Sequence, residues 1–267
     1  METLKITKKD LNVNNEYIGE IDVTNFNGNI EIDESLGYVM FKSISVTGYL
    51  LAKAGSGIKA GWGIEAGSGI KAGLGIKAGS GIKAGSGIEA GWGIKAGSGI
   101  EAGWGIKAGS GIEAGSGIKA GWGIEAGSGI KAGWGIKAGS GIEAGWGIKA
   151  GSGIKAGLGI KAGSGIEAGS GIKAGSGIEA GLSITCKLSL KITKRIFSGL
   201  AIWKDSKEIQ DSEKTITCGK LESGEVCYGI LKEVGMPKEK KEISLSGKEV
   251  SITVDGNTYK NEQNGSI

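Results

Sequence analysis

Between residues 53 and 182 two interleaved sets of positions alternate without a break: Ile58, Ala60 and Trp62 on one parity, Gly57, Lys59 and Gly61 on the other. A period of two held over such a length is a β signal. Two glycines in every six residues rule out a helix, because each costs about 1 kcal/mol there. A single strand of that length does not fit a compact fold, since strands run about 3 to 10 residues. The chain must therefore turn at a fixed interval. This predicts an all-β chain with an elongated β-solenoid, in which each coil buries its apolar side only by stacking on the next.

The repeating unit is Ile-[Lys/Glu]-Ala-Gly-[Ser/Trp/Leu]-Gly, present about twenty-two times without an insertion. Its glycines are expected to supply positive φ at the corners and close backbone approach. The slot that varies between Ser and a large residue never holds Trp or Leu in two neighbouring units. In a narrow interior two large side chains at one level would overpack, so Trp62, Trp92, Trp104, Trp122, Trp134 and Trp146 are read as core, the alternative being Trp on the outside as a stacking or membrane surface. Coils of two units or three remain open. Two units keep the core volume nearly constant, whereas three mix the charges better. Burying a large apolar side chain is worth about 2 to 3 kcal/mol and an exposed ion pair at most about 1, which favours the two-sided coil.

With Ile two positions after the variable slot throughout, the array resembles the hexapeptide repeat of left-handed β-helices. That resemblance covers about half the chain and implies three-sided, left-handed coils; Trp in the slot where the family carries a small residue departs from its pattern. The Ala-Gly-x-Gly cadence is also similar to bacterial ice-nucleation repeats, although the Thr-x-Thr ladder of ice-binding faces is missing.

The flanks keep the β character. Residues 1–52 read as an N-terminal β cap, with Tyr17 to Val23 and Asn29 to Asp33 strand-like and Met40, Ile44, Val46 and Leu50 on the parity of the array. Solenoid coils are expected over 53–192, since Ile184, Cys186, Leu188, Leu190 and Ile192 continue the apolar parity. Residues 193–267 read as a small β domain that also covers the open end. Its strands are expected at Ile196 to Trp203, Thr215 to Cys218 and Val226 to Leu231. A hairpin is expected between Glu242 to Leu245 and Val250 to Val254, with Asp255-Gly256 a further turn signal.

Composition mainly excludes. Gly contributes 55 of 267 residues and Pro only 1, but the glycines alternate two and four apart, which is not the collagen period. There is no His, so Ser-His-Asp and Cys-His catalysis are out, as are the histidine base of hexapeptide-repeat acyltransferases and the zinc site of their carbonic anhydrase relatives. No Walker motif occurs, no cofactor or metal is implied, and the chain is read as a non-enzyme. Cys186, Cys218 and Cys227 match no zinc or redox spacing and are read as reduced, mostly buried thiols. The start lacks a signal-peptide h-region and no run of eighteen apolar residues occurs, which predicts a cytoplasmic location.

Two surface features are candidates for binding. In a twelve-residue coil Lys59, Lys71, Lys83, Lys95, Lys107, Lys119 and Lys131 form one basic ridge, and Glu89, Glu101, Glu113 and Glu125 an acidic one on the opposite side. Basic ridges attract phosphate backbones and acidic ones basic protein grooves. The second feature is Trp203, beside Lys204, which is read as core of the terminal domain or as a binding anchor. Lys and Trp fall on opposite parities of the repeat, which argues against nucleic acid held by both together. The expected function is a non-enzymatic scaffold that binds a protein partner, with a homo-oligomer compatible. A phage or other mobile-element inhibitor of a host nuclease fits the charged ridges. The alternative is an oligomeric membrane pore.

Overall fold

A computed structural model describes residues 1–201, 204, 208–236, 251–254 and 257–260. Residues 1–236 form one compact unit. Within it the chain winds as a parallel β-solenoid whose rungs are eighteen residues apart: Ile82 sits opposite both Ile64 and Ile100, and Ile94 opposite Ile76 and Ile112. Three six-residue units therefore complete one coil, and the solenoid has three faces. The first carries strands such as Ile82–Ala84 and Ile100–Ala102, the second Ile88–Ala90 and Ile106–Ala108, the third Ile94–Ala96 and Ile112–Ala114. Eleven strands stack on the third face.

The two-sided coil favoured by core volume is thus corrected, and the reason lies in where the variable slot points. Each strand is only Ile-[Lys/Glu]-Ala. Ile and Ala turn inward and the charged residue outward, so that Ile118 is 1% and Ala120 3% exposed. The Gly-x-Gly segment makes the corner, and its middle side chain projects into solvent. Trp62, Trp92, Trp104, Trp122, Trp134 and Trp146 are 60–71% exposed. Core volume is constant because every rung holds three Ile and three Ala, with no contribution from the slot. Nothing in the structure explains why large residues avoid neighbouring units. Ser56, the first residue in the slot series, is the buried exception: its Oγ donates to the Asp33 carbonyl and accepts from the Leu36 amide.

The repeat glycines also differ from expectation. Positive φ occurs at Gly37, Gly55, Gly199, Gly224, Gly229 and Gly235, of which only Gly55, in the first unit, belongs to the repeat. Inside it, the first glycine of each corner is required by close approach: a Cβ on Gly121 would lie 1.9 Å from the carbonyl oxygen of Gly103 one rung earlier. The second glycine is less crowded: from Gly81 to Gly165 a Cβ would meet the next rung's oxygen at 3.2–3.6 Å, with Gly123 the roomiest at 3.6 Å. Ser183 replaces a second glycine while Gly181 keeps the first, and in the following unit Lys187 and Ser189 replace both.

The parallel ladders extend beyond the regular repeat at both ends. Glu2–Ile6 pairs with Gly28–Ile32, which pairs with Leu50–Ala52. The first of these pairs is twenty-six residues apart and the second twenty, the spacing also of Ile44 against Ile64. Val39 lies opposite Ile58, nineteen residues on, so the parity slips: Val39 and Phe41 are buried, and Met40, expected on the apolar parity, turns outward. Tyr17 pairs with Leu11 in an isolated bridge and packs on Phe41, whereas residues 18–23 form no strand. At the other end Ser189–Ser198 spans two faces in one strand, pairing first with Ile172–Ala174 and then with Ile178–Ala180. Thr215–Cys218 and Ile230–Glu233 continue the third face, and Lys220–Tyr228 pairs along Ser189–Ser198 through register shifts. The second unit, 237–267, contains an antiparallel pair, Ser251–Val254 with Asn257–Lys260, separated by Asp255 and Gly256. Glu242 to Leu245 lies outside the described residues.

Candidate functional site

The fold uses Ile and Ala for its core, so chemistry is left to two exterior sets: the charged residue at the centre of each strand and the side chain at each corner. The eighteen-residue register decides which charges meet. On the second face the outward row runs Lys71, Glu89, Lys107, Glu125, Glu143, Lys161, Glu179. On the third it runs Lys59, Lys77, Lys95, Glu113, Lys131, Lys149, Glu167. On the first it runs Glu65, Lys83, Glu101, Lys119, Lys137, Lys155, Lys173, Lys191.

The two ridges expected from a twelve-residue coil are therefore not formed. Lys59, Lys95 and Lys131 lie on the third face, Lys71 and Lys107 on the second, and Lys83 and Lys119 on the first, so their row winds around the solenoid. Glu89 and Glu125 share the second face, while Glu101 and Glu113 lie on the first and third. Each of these four carboxylates is paired with a lysine one rung away: Lys71–Glu89 at 3.2 Å, Lys119–Glu101 at 2.7 Å, Lys95–Glu113 at 3.0 Å and Lys107–Glu125 at 3.0 Å. The Lys119 hydrogen bond holds the Glu101 carboxyl below its ordinary pKa, and the Glu125 partner raises Lys107. All are well exposed, so the pairs add little to stability. Their main effect is to cancel charge.

Corner side chains wall shallow grooves that run along the faces. The groove on the second face is lined by Tyr49, Trp104, Trp122, Leu158 and Phe197 over a floor of Gly and Ile. Trp104 and Trp122 occupy one corner on successive rungs, their rings 6.4 Å apart at 20°. Trp92 and Tyr38 contribute to the groove on the third face, where Lys77 lies 5.0 Å from the centre of the Tyr38 ring. The groove on the first face is lined by Gly, Ile, Ser and the charged row, with Trp62 and Trp134 exposed at the corner before it. Sequence reading missed these aromatic walls because it assigned Trp to the core. The signal that could have revealed them was the free choice of Ser, Leu or Trp in a unit otherwise invariant. Trp203 lies outside the described residues.

Cys186 and Cys218 are buried and Cys227 is exposed, so one of the three departs from the expected burial. Cys186 follows Ala168 in the inward ladder of the third face, and burial pushes its thiol up to about 12, with Cys218 adding to the shift. Burial raises Cys218 also. A thiolate reagent applied to the folded protein near pH 8 will therefore label Cys227 rapidly, and Cys186 and Cys218 only on unfolding. Mass mapping of the labelled peptides checks this.

No family model, curated protein or solved structure matches the chain. No helix among the described residues is long and apolar enough to cross a membrane.

Proposed function

We propose that this chain is a non-catalytic scaffold that binds a protein partner along the outside of its solenoid. The observation that supports this best is the exposure of six tryptophans, 60–71% each, on a frame whose core does not need them. Aromatic side chains that neither fold nor stabilise the unit carry a desolvation benefit that only a partner can realise, and Trp is enriched at the energetic centres of protein interfaces. The Trp104, Trp122 and Leu158 wall with the adjoining groove supplies apolar anchors, and the alternating Lys and Glu of that face supply a polar setting for them. The absence of any His from the chain is consistent with a binding role.

The three-unit coil also supports reading the array as a hexapeptide-repeat β-helix. A pore would need an apolar outward row facing lipid, whereas the outward rows here are Lys and Glu, which favours the scaffold over the membrane reading. A nuclease inhibitor acting by acidic mimicry finds little support, because the glutamates of the expected acidic ridge are paired with lysines.

The test is co-purification of the full chain from its native host beside the double variant Trp104→Ser, Trp122→Ser. A partner retained by the native chain and lost, or weakened more than tenfold, by the variant is the expected result. Equal recovery with both chains, or none with either, would overturn the reading.

A further inference from the structure

Every outward row could have alternated its charges, and much of the exterior does so. The lower half of the first face does not. Lys119, Lys137, Lys155, Lys173 and Lys191 stand in register on five successive rungs. Lys119 is drawn to Glu101 and Lys191 to Glu222 at the two ends. Lys137, Lys155 and Lys173 between them form no salt bridge among the described residues. Like charges directly opposite on neighbouring strands are destabilising, and a Glu in the middle slot would relieve this row at no cost to the core. Adjacent rungs lie about 4.8 Å apart, so the five ammonium groups cover roughly 19 Å of a straight, rigid edge.

We infer that this lysine ladder is a binding strip for the phosphate backbone of duplex nucleic acid. Three observations select that occupant. The strip is basic, in line and evenly spaced, which suits a linear polyanion; duplex DNA carries a negative charge about every 1.7 Å of its axis. Its groove has a floor of Gly and Ile, and along the lysine rungs the corner before it carries the single Trp134 rather than a stack of rings, so it offers mainly backbone contact without base readout. An acidic protein is the poorer fit, because lysine is depleted at protein interfaces. The objection that Lys and Trp point to opposite sides falls, since both face outward, and the strip itself rests on the lysines. The inference goes beyond the protein-binding reading and uses a different face.

The experiment is fluorescence anisotropy with a labelled 20-base-pair DNA duplex of arbitrary sequence, repeated with a second sequence and with one strand alone, across a salt series. The full native chain is compared with the triple variant Lys137→Gln, Lys155→Gln, Lys173→Gln. A control, Lys71→Gln, Lys107→Gln, Lys161→Gln, removes the same charge from the second face. The expected result is sequence-independent duplex binding with a dissociation constant of about 10⁻⁵ M near physiological salt, weaker for the single strand. The first-face variant should lower the slope of log affinity against log salt by about 2.7, and the control should change it by less than about 1. Equal losses in both variants would show a mere net-charge effect and overturn the inference. So would absence of duplex binding at low salt, or poly-glutamate competing as well as the duplex at equal charge. Circular dichroism of all three chains reports that the solenoid is intact. Because Trp104 and Trp122 remain in every variant, failure here leaves the protein-binding reading standing.

Discussion

Gly121→Ala will destabilise the solenoid by about 3 kcal/mol, while Gly123→Ala two residues later will leave it unchanged or stabilise it by up to about 1 kcal/mol. Both are corner glycines of the same unit, and both lie outside the positive-φ set. The first presents its α-carbon to the preceding rung: an added methyl would sit 1.9 Å from the Gly103 oxygen, and backbone cannot swing aside as a flexible side chain can. The amide of Gly121 donates to the Ala102 carbonyl at 3.1 Å, so moving the corner away also lengthens a rung-to-rung hydrogen bond. At Gly123 the nearest atom is 3.6 Å from the built Cβ, an ordinary contact. Ala there restricts the unfolded chain without strain in the folded one. Coils contact only their neighbours, so damage will be local before it is global. Hydrogen exchange read rung by rung should show lost protection at residues 103, 121 and 139 in the first variant only.

The second large effect is expected at Ile118→Ala, a loss of about 3 kcal/mol, with Ile118→Val costing about 1. Ile118 is 1% exposed and stacked between Ile100 and Ile136 on the first face. Its replacement leaves a hole that rigid rungs above and below cannot close, because backbone hydrogen bonds fix their separation. Ala120→Leu should be harmful from the opposite direction, by about 1 to 3 kcal/mol, since the inward Ala positions have no spare volume. By contrast, Trp122→Ser removes a far larger side chain and should change stability by under about 0.5 kcal/mol, because that ring is outside. Chemical denaturation of the four variants in parallel ranks them. A Trp122→Ser loss comparable with that of Ile118→Ala would contradict the assignment of the slot to the exterior.

The strictly repeated Ile and Ala made the core legible from sequence, as did the lone charge between them, which had to face water. Thr215–Cys218 was readable as a strand for the same reason. The slip at Val39 to Phe41 was not, since one additional residue in an early coil reverses the parity that pattern reading relies on. The candidate binding surface was the least legible part. The list of charged residues was available, but the ridges drawn from it depended wholly on coil length, and a shift from twelve to eighteen residues dispersed them over three faces.

Sequence by itself determined that this chain is a β-solenoid. Period-two alternation, two glycines per unit and an invariant six-residue length leave no helix and no long strand, and they identify the residues that must stack inside. Tertiary structure alone decided three matters: how many units close a coil, which way the variable slot points and which charges become neighbours. All three depend on interactions eighteen residues apart, where one rung's carbonyl meets the next rung's glycine. A local pattern of six residues repeats identically whether two or three units make the circuit, so it holds no information about closure. The eighteen-residue register brings the first glycine against the preceding rung's carbonyl and lines up Lys137, Lys155 and Lys173 on one face, with Trp exposed at the corners.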